Sequence, residues 1–297
     1  MSQATPEFYS LLLRTMAKLP LPLARRLGRG LGLIYYKLGK KRVHIARINM
    51  DICYPSLTKE EREARVRQTF REAGAWFMEA GAIWTWPAEK ILSYVKVINP
   101  EVYERAVAAN KGVILAIPHL GNWEVMGPFV TSRHEFACFY KPDDKNPGFS
   151  EFIRRQRSRN GTVMASTDTT GIRVLYKHLK AGGVIGLLPD HNPSEQMGVF
   201  APFFGRPALT GTLISSLARK NKAPVLTAAV IRTTDGFELH FAEVQDQHSD
   251  DPEQAASALN KAIENCIALA PAQFHWVYPR FRKRPNPERN PSPYRKP

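Results

Sequence analysis

Apolar residues recur at helical spacing in the first third of the chain and in short unbroken runs after it. Residues 8–19 mix Leu and Tyr with Arg and Lys, and Pro20 and Pro22 interrupt the pattern. Leu23, Leu27, Leu31, Ile34 and Leu38 then fall at three-to-four spacing, which predicts a second helix over 23–38. A charged amphipathic helix is expected over 58–78, with Thr58 as its N-cap and Glu60 and Glu61 in its first turn. Beyond Pro87 the runs at 94–98, 112–118, 136–140, 184–189, 224–231 and 237–244 read as strands. Helical stretches at 100–109, 123–131, 149–159, 171–181 and 209–220 separate several of them, and another is expected over 251–269. This alternation predicts an α/β fold: a mainly parallel central sheet covered by helices on both faces, led by a helical N-terminal segment. The last two strands, joined through 233–236, are expected to form a hairpin at the sheet edge.

The second helix is apolar on one side, with Arg25, Arg26 and Arg29 elsewhere on the wheel. Two readings of it stand: a helix lying in a lipid interface, or a surface helix packed on the core. The basic run Lys40, Lys41, Arg42 and Arg47 adds attraction to anionic lipid. Gly28, Gly30 and Gly32 sit inside the helical pattern, so they do not make a nucleotide loop; Gly28 and Gly32 suit close approach of another helix. No signal peptide is expected. Basic residues and prolines break the stretch 8–38, so it lacks the roughly 20 continuous apolar residues of a spanning helix. The expected organisation is a membrane-associating segment over 1–48, an α/β domain over 49–285 and a flexible tail over 286–297.

Charge narrows the partners. Lys and Arg number 42 against 27 Asp and Glu, a formal +15 that attracts nucleic acid, phosphate-bearing lipid or an acidic protein, unless it is a neutral feature of the surface. Cys53, Cys138 and Cys266 are widely spaced, form no CxxC pair and are expected as reduced thiols in a cytosolic setting.

The chemistry concentrates at Gly112-Val-Ile-Leu-Ala-Ile-Pro-His-Leu-Gly-Asn-Trp-Glu124. A buried strand ends at Pro118, and His119 follows at the sheet edge where open α/β folds bind ligands. Glu124 opens the next helix and is placed to turn back and hold one imidazole nitrogen, leaving the other to take a proton from a hydroxyl. Gly121 permits the turn. His248 and Glu253 have the same spacing without a preceding buried strand, so the spacing alone is weak and the strand–loop–helix context carries the signal.

His119-Leu-Gly-Asn-Trp-Glu124 resembles the H-x4-D/E box of the late acyltransferases of lipid A biosynthesis, the lauroyl- and myristoyl-transferring group. Leu188-Pro-Asp-His-Asn192 followed by Gly198-Val-Phe-Ala-Pro-Phe-Phe-Gly-Arg-Pro207 is similar to that family's PDxD…VFxPFFG segment. Lys41-Arg-Val-His-Ile-Ala-Arg-Ile-Asn49, Cys53-Tyr-Pro-Ser-Leu57 and Gln273-Phe-His-Trp-Val-Tyr-Pro-Arg-Phe-Arg-Lys-Arg-Pro285 resemble its terminal signatures. Together they cover most of the chain in order. The resemblance implies transfer of a fatty acyl chain from acyl–acyl carrier protein to the hydroxyl of a 3-hydroxyacyl chain on a lipid A precursor. It implies no metal or other cofactor, and it places the enzyme on the cytoplasmic face of the cell inner membrane. Carrier protein and phosphorylated lipid are both acidic, which suits the basic chain.

On this reading His119 is the general base and Glu124 the carboxylate that orients it. Asn122 either donates a hydrogen bond to substrate or serves the turn. Arg154, Arg155, Arg157 and Arg159 either grip phosphates and the oxyanion or form a solvated basic face. Asp190 either shapes the site or caps its loop, and Asn192, standing where the family pattern has a second acid, weakens a paired-carboxylate scheme. Phe200, Phe203 and Phe204 with Gly205 suit an acyl-chain wall or plain core. Three rivals remain. A serine hydrolase would need a G-x-S-x-G elbow that the sequence does not contain. A nucleic-acid-binding protein is supported by charge alone. The same chemistry on another glycolipid, an ornithine-type lipid or a polyene lipid differs only in acceptor.

Overall fold

The computed structural model describes residues 5–143 and 145–294. Residues 1–4 and 295–297, the outer ends of the expected N-terminal segment and tail, lie outside the described residues. The N-terminal third is helical: α1 (Pro6–Met16), α2 (Leu21–Leu38), α3 (Lys40–Cys53), α4 (Lys59–Thr85) and α5 (Ala88–Leu92). There follow β1 (Val95–Val97), α6 (Pro100–Ala108), β2 (Val113–Ala116), α7 (Met126–Thr131), β3 (Phe136–Phe139), α8 (Pro147–Ser158), β4 (Val163–Ala165), α9 (Thr169–Lys180) and β5 (Val184–Leu187). The chain closes with β6 (Gly198–Phe203), β7 (Arg206–Gly211), α10 (Leu213–Asn221), β8 (Val225–Arg232), β9 (Phe237–Glu243) and α11 (Pro252–Leu269).

The main sheet has the order β1-β9-β8-β2-β5-β3-β4, and every adjacent pair is parallel except β8–β9. Every residue of β2 and β5 is buried, as a strand covered on both faces requires. One apolar core packs on one face with α3, α9, α10 and α11; a second packs on the other with α1, α6, α7 and α8. The β8–β9 hairpin forms, but β1 pairs outside β9, so the hairpin is internal to the sheet.

Two departures from the periodicity have physical causes. The helix expected to stop at 78 runs on to Thr85, because Met78 through Trp84 are buried on all sides and lose the amphipathic pattern. Its start is as expected: Thr58 and Glu61 form a capping box. Residues 209–211, the start of the helix expected over 209–220, belong to strand β7 (Arg206–Gly211) instead, and α10 begins at Leu213. Phe204 and Gly205 both have positive φ, 49° and 71°, as a two-residue hairpin turn between β6 and β7 demands.

α2 buries its small face. Leu21, Ala24, Arg25, Gly28 and Gly32 are covered, whereas Leu23, Leu27, Leu31, Ile34 and Leu38 are 45–73% exposed. A Cβ on Gly28 would stand 2.3 Å from the Gly74 carbonyl oxygen, so only glycine lets α2 lie this close on α4. The boundary expected at residue 48 falls inside α3. In the segment expected to be a flexible tail, the Tyr294 hydroxyl accepts from Phe281 N–H and donates to Asn49 Oδ1. Cys53, Cys138 and Cys266 are free thiols.

Candidate active site

β2 and β5 are neighbours, so the loops leaving their carboxyl ends meet. The β2 loop carries His119 and the β5 loop carries Asp190. Asp190 Oδ1 lies 2.8 Å from His119 Nδ1, and Asp190 Oδ2 accepts the His119 backbone N–H at 3.1 Å. Asp190 is 2% exposed. Burial alone would raise its carboxyl, but His119, His191 and the backbone N–H outweigh it and hold the group well below the carboxylate range. An ionised carboxylate only accepts, so the His119 nitrogen facing it, Nδ1, carries a proton; in the neutral tautomer this leaves Nε2 as the acceptor. Among the described residues Nε2 has no hydrogen-bond partner, and the ring lines a cavity of about 560 Å3.

Aromatic contacts fix the imidazole further. His191 stacks on it at 4.1 Å and 8°, Tyr278 stacks on His191 at 3.8 Å, and Trp123 meets it edge-on at 4.9 Å. Burial, then the nearby His119, pulls His191 down to about 4 and His275 to about 3, so both neighbours stay neutral around neutral pH. His119, Asp190 and His191 hold three candidate metal-ligand atoms within 4.8 Å of one another. The stacked rings, however, send their in-plane lone pairs side by side, and both Asp190 oxygens already accept from His119. The set fits a hydrogen-bonded base better than an ion.

The loop is held on both flanks. Gly121 N–H bonds to the Gln273 carbonyl, Asn122 N–H to the Val230 carbonyl, and His275 N–H to the His119 carbonyl at 3.0 Å. Gly121 has φ +59°, and a Cβ there would sit 1.7 Å from Val230 O. The segment 273–277 thus straps the His119 loop down and supplies Phe274, Trp276 and Val277 to the cavity.

Glu124 departs from expectation. It sits in a single 3₁₀ turn (Trp123–Val125) and makes no hydrogen bond to His119. Its carboxylate pairs with Arg157 on α8 through both oxygens, the Nε–Oε2 distance being 3.0 Å. Burial would raise Glu124; Arg157 overrides that and holds it low. Trp123 lines both the His119 cavity and the narrow crevice of about 70 Å3 that contains Glu124, and so stands between them. Burial pushes the Cys138 thiol in that crevice up to about 11, which makes it a wall and not a nucleophile.

Comparison with known proteins identifies the family. The family model for bacterial lipid A biosynthesis acyltransferases matches residues 3–283. The lipid A biosynthesis lauroyltransferase of Escherichia coli (strain K12) is 31% identical over 274 residues, covering 91% of this chain and 89% of that protein. The palmitoleoyltransferase of the same strain is also 31% identical, covering 90% and 88%. A lipid A biosynthesis acyltransferase of Haemophilus influenzae is 27% identical over 293 residues, covering 95% and 91%. The chain belongs to the bacterial lipid A biosynthesis acyltransferase family. It is an acyltransferase enzyme, so the non-enzyme reading falls away.

The acyltransferase does not gather every residue that the sequence singled out. Asn122 is 1% exposed and spends its side-chain N–H on Glu79 Oε2 at 2.9 Å, so it is a tie and not a substrate contact. Arg154 and Arg155 point to solvent and pair with Glu151; Arg159 donates to the carbonyls of Ile83, Trp84 and Trp86. Of that cluster Arg157 and Arg159 line the Glu124 crevice, only Arg157 pairs with Glu124, and none of the four lines the His119 cavity. Phe203 is 1% exposed under Arg280, and Phe204 packs on Tyr54 and Trp276, so neither lines the His119 cavity. The wall comes from Leu31, Tyr35, Phe70, Trp76 and Phe77 of α2 and α4. Asn192 accepts from Arg280 Nη1 at 2.8 Å, which ties the Asp190 loop to the chain just beyond the strap without a second acid. Beneath the cavity Glu79, 0% exposed, takes hydrogen bonds from Arg25, Arg232 and Asn122 and locks α2, α4 and β8 together.

Proposed function

We propose that the acyltransferase moves a fatty acyl group from a carrier-protein thioester to the hydroxyl of a 3-hydroxyacyl chain on a lipid A precursor, with His119 as general base. The observation that carries this is the Asp190–His119 pair at the head of an apolar cavity. The acceptor oxygen attacks the thioester carbonyl as its proton passes to His119 Nε2, and Asp190 stabilises the imidazolium that forms. Collapse breaks the C–S bond, and the same nitrogen returns the proton to the departing thiolate. Every atom and electron is accounted for by the two substrates and one imidazole, so the scheme calls for no cofactor. The cavity volume is in the range of small-molecule sites, and its aromatic and aliphatic lining suits hydrocarbon.

The exposed face of α2 supports docking on the cytoplasmic face of the inner membrane. Leu31, Tyr35 and Phe77, 47–50% exposed, stand at the cavity lining and continue into the stripe of Leu23, Leu27, Ile34 and Leu38, with Phe8, Leu11 and Leu12 on α1 also bare. Exposed Arg26, Lys37, Lys40 and Lys41 suit anionic headgroups. No helix among the described residues is long and apolar enough to cross a membrane, which fits a helix lying in the interface. Mass spectrometry of lipid A tests the reading. Cells lacking the gene should lose one secondary acyl chain, restored by the wild-type gene and not by His119→Ala. An unchanged lipid A profile would overturn the acceptor assignment.

A further inference from the structure

Beside the catalytic cavity lies a second cleft of about 550 Å3 with the opposite character. Arg25, Arg29, Arg65, Gln68 and Arg232 line it, and it shares two wall residues, Glu72 and Gln273, with the cavity of His119. The guanidinium groups there outnumber the carboxylates that face them. Arg25 donates to Glu79 and to the carbonyls of Thr233, Thr234 and Gly236, and Arg232 donates to Glu72, Glu79 and Gln273. Those two are spent and contribute only their field. Arg29 uses Nε and Nη2 on Glu72, which leaves Nη1 without a partner among the described residues. Arg65 lies 4.4 Å over the Tyr54 ring and has no carboxylate partner among the described residues. Gln68 is exposed at the rim. Four cations thus face two carboxylates, Glu72 and Glu79, and the donors left over are Arg65, Arg29 Nη1 and the Gln68 amide.

We propose that this cleft binds a phosphate on the headgroup of the acceptor lipid, an inference that rests on the acyl-transfer reading above. A guanidinium resting over an aromatic ring is partly immobilised and presents its fork to a tetrahedral oxyanion with less further loss of freedom. The buried Glu79–Arg25–Arg232 network keeps the charged wall rigid, so binding requires no rearrangement of it. An amphiphile spanning the shared wall of Glu72 and Gln273 lays its chain beside His119 and its phosphate beside Arg65. Apolar and polar clefts side by side match the two ends of one molecule. A phosphate on the donor's prosthetic arm is the other source of the same chemistry, and the experiment separates the two.

The test compares a lipid A precursor carrying its phosphates with the same lipid after phosphatase treatment, in mixed micelles, with acyl–acyl carrier protein as donor. The variants are Arg65→Ala, Arg65→Lys and Gln68→Glu; the last places a carboxylate at an exposed rim position where it leaves the fold untouched. We expect Arg65→Ala and Gln68→Glu to raise KM for the phosphorylated acceptor about tenfold or more, with kcat and the donor KM unchanged. On the dephosphorylated acceptor they should match wild type, and Arg65→Lys should recover part of the loss. Equal effects on both acceptors, no effect on either, or a rise confined to the donor KM would overturn the proposal. Isothermal titration of both acceptors without donor gives a readout independent of turnover. Wild-type protein that prefers the phosphorylated lipid in binding yet transfers nothing would sink the acyl-transfer reading and leave the cleft standing.

Discussion

Two buried carboxylates lie near the His119 loop, and they differ in what they hold. Asp190 faces an imidazole, Glu124 a guanidinium. Both are held ionised against burial by their partners. A guanidinium keeps its charge through any enzymatic cycle, so Glu124–Arg157 is a fixed, neutral pair. An imidazole can exchange a proton, so on the proposed mechanism Asp190 faces a partner that takes up charge and gives it back. The first arrangement props the turn that carries Trp123; the second is the one the proposed mechanism uses. Sharing a loop with His119 does not make a carboxylate its partner.

Kinetics should separate the two by the widest margin. Asp190→Asn keeps the shape but lets the imidazole take the wrong tautomer and removes the countercharge, so kcat should fall about 10²–10⁴-fold with KM little changed. Glu124→Gln should lose less than Asp190→Asn and less than His119→Ala, on the order of tenfold, because its carboxylate acts on Arg157 and only through it on Trp123. Steady-state rates on purified variants check this. A larger loss for Glu124→Gln than for Asp190→Asn, with the fold intact, would transfer the orienting role to Glu124.

Stability should reverse the ranking between the single and the paired changes at 124 and 157. Glu124→Gln leaves Arg157 without its countercharge, and Arg157 is 30% exposed, so the cost is discounted from that of a fully buried pair to about 1–3 kcal/mol. Replacing both, as Glu124→Leu with Arg157→Met, removes the stranded charge and should recover most of that loss in a urea titration. A double variant less stable than Glu124→Gln would mean that the pair holds the turn by geometry that apolar packing does not replace.

What the sequence disclosed follows the range of each interaction. The strands announced themselves because each is a local apolar run, and His119 stood out because it follows one. Asp190 was visible as a sheet-edge residue, but its pairing with His119 depends on β2 and β5 being neighbours, a tertiary fact across 71 positions. Glu124 was chosen by nearness in sequence; its partner Arg157 lies 33 positions away on α8. For α2 the periodicity marked a stripe of leucines without saying which face would be covered. Gly28 and Gly32 decide that, since a backbone-to-backbone approach to α4 is open only to their side of the helix. The end of α4 was hidden because burial on all sides erases the pattern by which helices are read.

The smallest effect is a pH dependence of stability that belongs to Glu124. Its folded carboxyl titrates below its unfolded value, which is near 4.3. A depressed carboxyl contributes stability that is fully present above the unfolded value and is lost as pH falls through the folded one. Asp190 follows the same sign with its own unfolded value near 3.9. Glu124→Gln removes one of these two terms and leaves the other. The wild-type advantage over Glu124→Gln in urea should therefore be constant above about pH 5 and shrink as the solution is taken below about pH 4. Asp190→Asn should show the same narrowing displaced to lower pH, and a Glu124→Gln gap that stayed constant down to pH 3 would mean that Arg157 does not hold the Glu124 carboxylate ionised in solution.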